Sequence, residues 1–348
     1  SLHDALPIFS HREAAVLLDC ELDEKNQEIF ALAEQIKKDF YGNRIVMFAP
    51  LYLSNYCING CVYCPYHSVN KNITRKKLTQ DEIRNEVIAL QDMGHKRLAL
   101  EAGEDPVNNP LDYILESIKT IYSIKHKNGA IRRVNINIAA TTVDNYRLLK
   151  EAGIGTYILF QETYHKESYL TLHPTGPKHD YNYHTEAMDR AMEGGIDDVG
   201  LGVLFGLDKY RYEFAGLLMH AEHLEAAFGV GPHTISVPRL KHADDIDPDQ
   251  FDNGIDDDTF AKIVACIRIA VPYTGMIIST REGQQVLLPD HSADCVMAQM
   301  TPARLLDRVL GRLTASGRKL VPLAYVNTSL AVKAVVGRYG GEEFALIF

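Results

Sequence analysis

Three cysteines crowd into one short run, Ser54-Asn55-Tyr56-Cys57-Ile58-Asn59-Gly60-Cys61-Val62-Tyr63-Cys64. Thiolates are soft ligands that select zinc or iron–sulfur. On a loop this short, Cys57, Cys61 and Cys64 can face a common point, and Gly60 lets the backbone fold closely around a bulky inorganic core. Three protein ligands would leave one iron of a [4Fe-4S] cube open to a chelating molecule. The alternative is a structural zinc site completed by His67. Such sites draw ligands from two separate knuckles, and no second pair follows here. Cys20, Cys266 and Cys295 are scattered, so no disulfide framework is expected.

Other polar residues fall at the ends of apolar runs. In Asn135-Ile136-Asn137 the two asparagines share one strand face and need partners if that face is interior. Asn137 suits a ribose, a substrate or a structural hydrogen bond. The runs Ser236-Val237-Pro238-Arg239 and Ser279-Thr280-Arg281-Glu282 each close on an arginine. Arginine grips carboxylates bidentately, so Arg239, Ser279 and Arg281 are expected at the carboxylate of an amino-acid substrate.

These residues need a scaffold that brings strand ends together. Short apolar or β-branched runs at residues 44–54, 97–104, 132–139, 156–163, 198–206, 233–241 and 275–282 predict buried parallel strands. Amphipathic stretches at 79–93, 111–126, 144–152, 183–193, 210–228 and 258–270 predict the helices between them. Thr79-Gln80-Asp81-Glu82 carries the pattern of a capping box. This α/β order, β then α about seven times, suits a (β/α) barrel or a doubly wound sheet. Glu104, Asn137, Glu162, Arg239 and Arg281 all cluster at C-terminal strand ends, where barrels build their sites. A partial (β/α) TIM-type barrel over 43–285 is therefore expected, with N-terminal helices at 11–42.

Apolar residues make up 46% of the 348 and fill a large core; the net charge of −10 argues against nucleic acid or an anionic membrane as partner. No apolar run is long enough to span a bilayer, and no signal peptide is visible, so a cytoplasmic location is expected. The acidic stretch 244–258 reads as a solvated loop.

The C-x3-C-x2-C run, with an aromatic residue before its last cysteine, resembles the signature of radical S-adenosylmethionine (SAM) enzymes. That resemblance implies a [4Fe-4S] cluster on Cys57, Cys61 and Cys64. SAM would chelate the open iron and be cleaved reductively to methionine and a 5′-deoxyadenosyl radical. It places Tyr63 against the adenine, and Ala102, Gly103 and Glu104 at the methionine ammonium. It sets Glu162 and Asn137 near SAM, with His184 or Arg190 at the SAM carboxylate. More narrowly, residues 11–285 resemble the tyrosine lyases of FeFe-hydrogenase maturation. The resemblance is carried by Gly42-Asn43-Arg44-Ile45-Val46-Met47-Phe48-Ala49-Pro50-Leu51-Tyr52, His173-Pro174-Thr175-Gly176-Pro177-Lys178 and Pro232-His233-Thr234-Ile235-Ser236-Val237-Pro238-Arg239. It implies cleavage of the Cα–Cβ bond of L-tyrosine to p-cresol and 2-iminoacetate, with ferredoxin or flavodoxin as electron donor. The thiamine-pathway 2-iminoacetate synthases are the close alternative, and an inactive misassembled chain is another.

The ends depart from that pattern. Residues 1–10 read as an artefactual or disordered leader. Residues 286–336 resemble an internal piece of quinolinate synthase, and 337–348 resemble a diguanylate cyclase signature. A foreign tail is thus expected where the family's last barrel strand and auxiliary-cluster domain would stand, with carbon monoxide and cyanide formation lost.

Overall fold

The computed structural model describes residues 9–42, 46–127, 129–243 and 245–279, together with strand segments at 295–297, 321–326, 332–339 and 342–346. Two N-terminal helices, α1 (His11–Leu18) and α2 (Asp23–Tyr41), precede the first strand, β1 (Val46–Ser54). Then follow α3 (Gln80–Asp92), β2 (Arg97–Ala102), α4 (Leu111–Ser123), β3 (Arg133–Asn137), α5 (Val143–Glu151) and β4 (Thr156–Ile158). The second half runs α6 (Lys166–Leu172), α7 (Tyr181–Thr185), α8 (Ala187–Glu193), β5 (Asp198–Gly202), α9 (Tyr210–Phe228), β6 (Thr234–Ser236), α10 (Asp257–Ala270) and β7 (Gly275–Ser279).

All seven expected strands form, and each pairs in parallel with the next in sequence order. Buried residues such as Leu51, Leu53, Leu98, Leu100, Val134 and Ile136 face the helices and make the outer core. Inside the ring, Phe48, Ala99, Ile158 and Ile277 pack together as an apolar floor. The alternation that separates the two sets is the period-two geometry of a strand.

A short eighth strand, β8 (Cys295–Met297), pairs with both β7 and β1 and closes the ring. This corrects the expectation that the last barrel strand is missing, which rested on likeness of the tail to another family. Further along, β9 (Val321–Val326), β10 (Val332–Tyr339) and β11 (Glu342–Leu346) form a separate antiparallel sheet. The tail's sequence pattern suits a strand at 321–325, which is present, and an amphipathic helix at 301–316, which lies outside the described residues.

Local chemistry explains the element ends. Thr79 caps α3 as its sequence implies: its side chain accepts from Glu82 N, and Glu82 returns a bond to Thr79 N at 2.8 Å. Strand β4 is much shorter than 156–163. Its pairing continues through Leu159 N to Gly200 O at 3.1 Å and Gln161 N to Gly202 O at 2.9 Å. At Glu162 the backbone turns left-handed, with φ of 69°, and regular strand geometry stops there. A non-glycine residue in that region costs roughly 1–2 kcal/mol. Leu204 N holds it by donating to Glu162 O at 3.0 Å. The stretch expected as one helix at 183–193 is two short helices that break at Glu186.

Candidate active site

The cysteine loop leaves β1 and is gripped from two sides. On the β2 side, Gly103 N donates to Ser54 O at 3.1 Å and Ile58 N donates to Glu104 O at 2.8 Å. Asn109 Nδ2 adds bonds to Tyr56 O at 3.0 Å and to Gly103 O at 2.8 Å. On the far side, the segment after α6 wraps the loop: Gly60 N donates to Thr175 O at 2.9 Å and Val62 N to Leu172 O at 3.0 Å.

Two glycines make this grip possible by what they lack. A Cβ on Gly103 would lie 2.3 Å from Tyr56 O and 2.9 Å from Cys57 Cβ. One on Gly60 would lie 2.3 Å from Thr175 Oγ1. Gly103→Ala is therefore expected to push the β2 end away from Cys57. Anaerobic reconstitution of that variant should recover less than a tenth of the iron bound by the unchanged chain. Full iron uptake by Gly103→Ala would show that the close approach is unimportant.

Cys61 is buried, and Cys57 and Cys64 are partly so. Each of the buried sulfurs senses its neighbours: Cys64 and Cys57 both act on Cys61, and Cys57 acts on Cys64. Burial pushes the Cys61 thiol up to about 12 and the Cys64 thiol to about 11, against the pull of the Lys178 ammonium on both. Metal uptake must therefore expel protons from this loop. Among the described residues, no three His, Cys, Asp or Glu side chains converge tightly enough for one metal ion. A tetrahedral zinc would draw its sulfurs to about 3.8 Å of one another, given Zn–S bonds near 2.3 Å. A cube instead takes one thiolate at each of three separated irons. His67, the remaining zinc ligand considered, faces Asp245 at 3.1 Å. The donor set, three soft thiolates on one loop, fits an iron–sulfur cube.

Asn59 ties the parts together. It is 2% exposed, donates to Glu104 Oε2 at 2.6 Å, and accepts from Lys178 N at 2.9 Å. Burial raises the Glu104 carboxyl, opposed by the Asn59 bond and by Lys178. Lys178 Nζ in turn meets Glu162 Oε1 at 2.8 Å and lies 5.9 Å from the Tyr63 ring. Burial alone would lower the Lys178 ammonium, but Glu162 and the cysteines outweigh it and hold its proton more tightly. Tyr63 is itself buried, with its hydroxyl 2.6 Å from His173 Nε2. His173 Nδ1 faces the Tyr169 carbonyl at 2.7 Å, so Nδ1 carries the proton and Nε2 accepts from Tyr63. Burial pushes His173 down to about 3, which keeps it neutral.

Beneath this group lies a cavity of about 280 Å³ inside the barrel. Phe48, Ala99, Ile158 and Ile277 make its apolar base; Glu101, Asn137, Ser236 and Glu162 supply polar groups above. The structure thus gathers Cys57, Cys61, Cys64, Tyr63, Gly103, Glu104, Asn137 and Glu162 at one end of the barrel, with Ala102 ending β2 beside them. It does not bring His184 or Arg190 into that cavity. His184 is buried with Nε2 on Phe160 O at 2.8 Å, and Arg190 bonds Thr141 O at 3.0 Å and stacks on Tyr183. Arg239 lines the cavity, yet its guanidinium reaches Asp257 at 2.7 Å and Ile255 O at 3.2 Å. Ser279 ends β7, and Arg281 lies outside the described residues. Sequence reasoning missed Asn59, Glu101 and Lys178 as site residues. Lys178 had a signal, since it ends the His173–Lys178 run; the other two look like ordinary loop and strand residues.

The model of the Radical SAM superfamily matches residues 51–218, and that of the Biotin and Thiamin Synthesis associated domain matches 236–320. The crystal structure of a HydG, a maturase of FeFe-hydrogenase, is 59% identical with a TM-score of 0.82, over 85% of this chain and 65% of that one. The HydG of Carboxydothermus hydrogenoformans is 41% identical with a TM-score of 0.82, over 89% of this chain and 75% of that one. The chain belongs to the HydG family of radical SAM proteins. Among curated relatives, the 2-iminoacetate synthase of Salmonella typhimurium is 29% identical over 252 residues, 72% of this chain and 64% of that protein. The chain thus spans somewhat under two thirds of that relative's length. A quinolinate synthase of Geobacillus thermodenitrificans is 46% identical over 65 residues, a partial match in the C-terminal region as the tail suggested. The radical SAM family uses a [4Fe-4S] cluster and SAM, and the thiol loop of this HydG relative fits both. Among the described residues, no helix is long and apolar enough to cross a membrane.

Proposed function

We propose that the chain is a radical SAM lyase that splits the Cα–Cβ bond of L-tyrosine, giving p-cresol and 2-iminoacetate, with a role in hydrogenase maturation. The observation that carries this reading is the junction of the cysteine loop with Glu104 through Asn59, set directly over an apolar-based cavity in the barrel. Cys57, Cys61 and Cys64 would hold the cluster, and Glu104 and the backbone at Ala102 and Gly103 would take the ammonium of SAM. Bound there, the cluster and SAM supply a 5′-deoxyadenosyl radical.

The chain's own residues do the rest. Tyr63, buried and fixed by His173, offers a flat wall for an adenine. Asn137 and Glu162 offer hydrogen bonds to a ribose. The cavity is near the low end of small-molecule pockets, roughly 300–1,000 Å³, and its base suits an aromatic ring. Its apolar base offers few hydrogen donors to a radical formed above it. A ferredoxin or flavodoxin would deliver the electron in the cell.

The test is anaerobic reconstitution with iron and sulfide, followed by dithionite, SAM and L-tyrosine. The expected products are 5′-deoxyadenosine and p-cresol. Deoxyadenosine without p-cresol would reject tyrosine as the substrate while leaving the radical chemistry intact.

A further inference from the structure

Three polar side chains sit in register on adjacent strands: Tyr52 of β1 pairs with Glu101 of β2, and Glu101 with Asn137 of β3. All three line the barrel cavity just above its apolar base. Glu101 differs from the other carboxylates at this rim. Glu162 has Lys178 at 2.8 Å, and Glu104 has the Asn59 amide and the influence of Lys178. Glu101 is hydrogen-bonded to Asn137, and among the described residues no basic side chain acts on it. Burial therefore pushes its carboxyl up to about 8. A desolvated carboxyl group with no basic partner acting on it is costly to ionise unless a cation arrives with the ligand.

We propose that Glu101, oriented by Asn137, receives the α-ammonium group of the amino-acid substrate and takes one proton from it. The proposal rests on the tyrosine reading above and adds the residue that prepares the amine. As the ammonium arrives, Glu101 gives up its own proton to solvent; the N–H proton then moves to the freed carboxylate oxygen, and nitrogen keeps the electron pair as a neutral amine. Proton transfer needs no oxidant or reductant. The ammonium of a free amino acid titrates roughly one unit above Glu101, and burial in the cavity lowers it, so the transfer is not far from balanced. Position also favours the amine over the phenol. Glu101 stands two residues before Gly103, about 7 Å along the strand from the cysteine loop, at ~3.3 Å per residue. A head group held there lies beneath the cluster loop, while the ring drops onto Phe48, Ala99, Ile158 and Ile277.

Tyrosine binding to the reconstituted chain with SAM, without reductant, tests this by calorimetry at pH 7 in two buffers of different ionisation enthalpy. Glu101 starts protonated and the ligand arrives as ammonium, so the complex must shed roughly one proton. The other titratable or charged groups facing the cavity region are Tyr52, Tyr63, Tyr66, Glu162, Arg239 and Lys241. They face both ligands of the comparison alike. That comparison ligand is 3-(4-hydroxyphenyl)propanoate, which has the same phenol and carboxylate but no amino group, and it should release no proton. Glu101→Gln should weaken tyrosine at least tenfold, leave the propanoate within twofold, and abolish the proton release. If that variant does not fold, the proton count on the unsubstituted chain decides alone. Equal release by both ligands would assign Glu101 to the phenol and overturn the proposal, as would tyrosine binding with no release. Failure of the unsubstituted chain to bind tyrosine would instead sink the substrate reading beneath it.

Discussion

Cys61→Ala should yield a chain that folds, retains almost no iron after reconstitution, and forms no 5′-deoxyadenosine above background. The substitution removes one sulfur from a small apolar group with Tyr63, Leu172 and Leu207. Truncation of that size costs on the order of 1 kcal/mol, well within the stability of a barrel. The chemical loss is far larger. Two thiolates cannot pin a cube whose open corner must stay exposed to SAM, so the effect on radical formation should exceed a thousandfold. Iron analysis, visible absorption and deoxyadenosine chromatography on the same sample measure it. Near-normal deoxyadenosine from Cys61→Ala would mean that the cluster sits elsewhere.

Lys178→Met should destabilise the chain before any cofactor is added. The Lys178 and Glu162 side chains are only 17% and 12% exposed, so solvent screens the pair weakly. Removing one partner of a buried pair strands the other charge, at a cost of about 3–5 kcal/mol. Glu162 also sits in a left-handed conformation. The double change Lys178→Met with Glu162→Leu should regain most of that loss, because no charge is then left unpaired. Anaerobic urea unfolding of the cluster-free forms reads both values. Lys178 also pulls the Cys61 and Cys64 thiols toward ionisation. The single variant should therefore bind the cluster more weakly at pH 7 than the unchanged chain. A variant as stable as the parent would show that the pair is solvent-relaxed.

The strand-and-helix alternation was legible because buried parallel strands leave short apolar runs and glycine marks helix ends. The three cysteines were legible because their spacing has few other physical uses. What sequence could not show was where long side chains go. Arg239 lies three residues beyond the end of β6, and Asp257 at the start of α10 draws its guanidinium to that helix. His184 and Arg190 fall on short helices whose backbone carbonyl neighbours occupy them. Glu101 was hidden because a carboxylate inside a strand ordinarily points to solvent; its inward turn depends on register with Tyr52 and Asn137. The closing strand β8 was not legible because Cys295-Val296-Met297 is too short a run to carry a strand pattern; its pairing with β1 and β7 is what makes it a strand.

Low-temperature electron paramagnetic resonance of the reduced, reconstituted chain, recorded with and without SAM, tests the site most directly. About four irons per chain and a cluster signal that shifts when SAM is added are the predicted result. A signal indifferent to SAM, or zinc in place of iron, would contradict a three-thiolate cube with one corner left open.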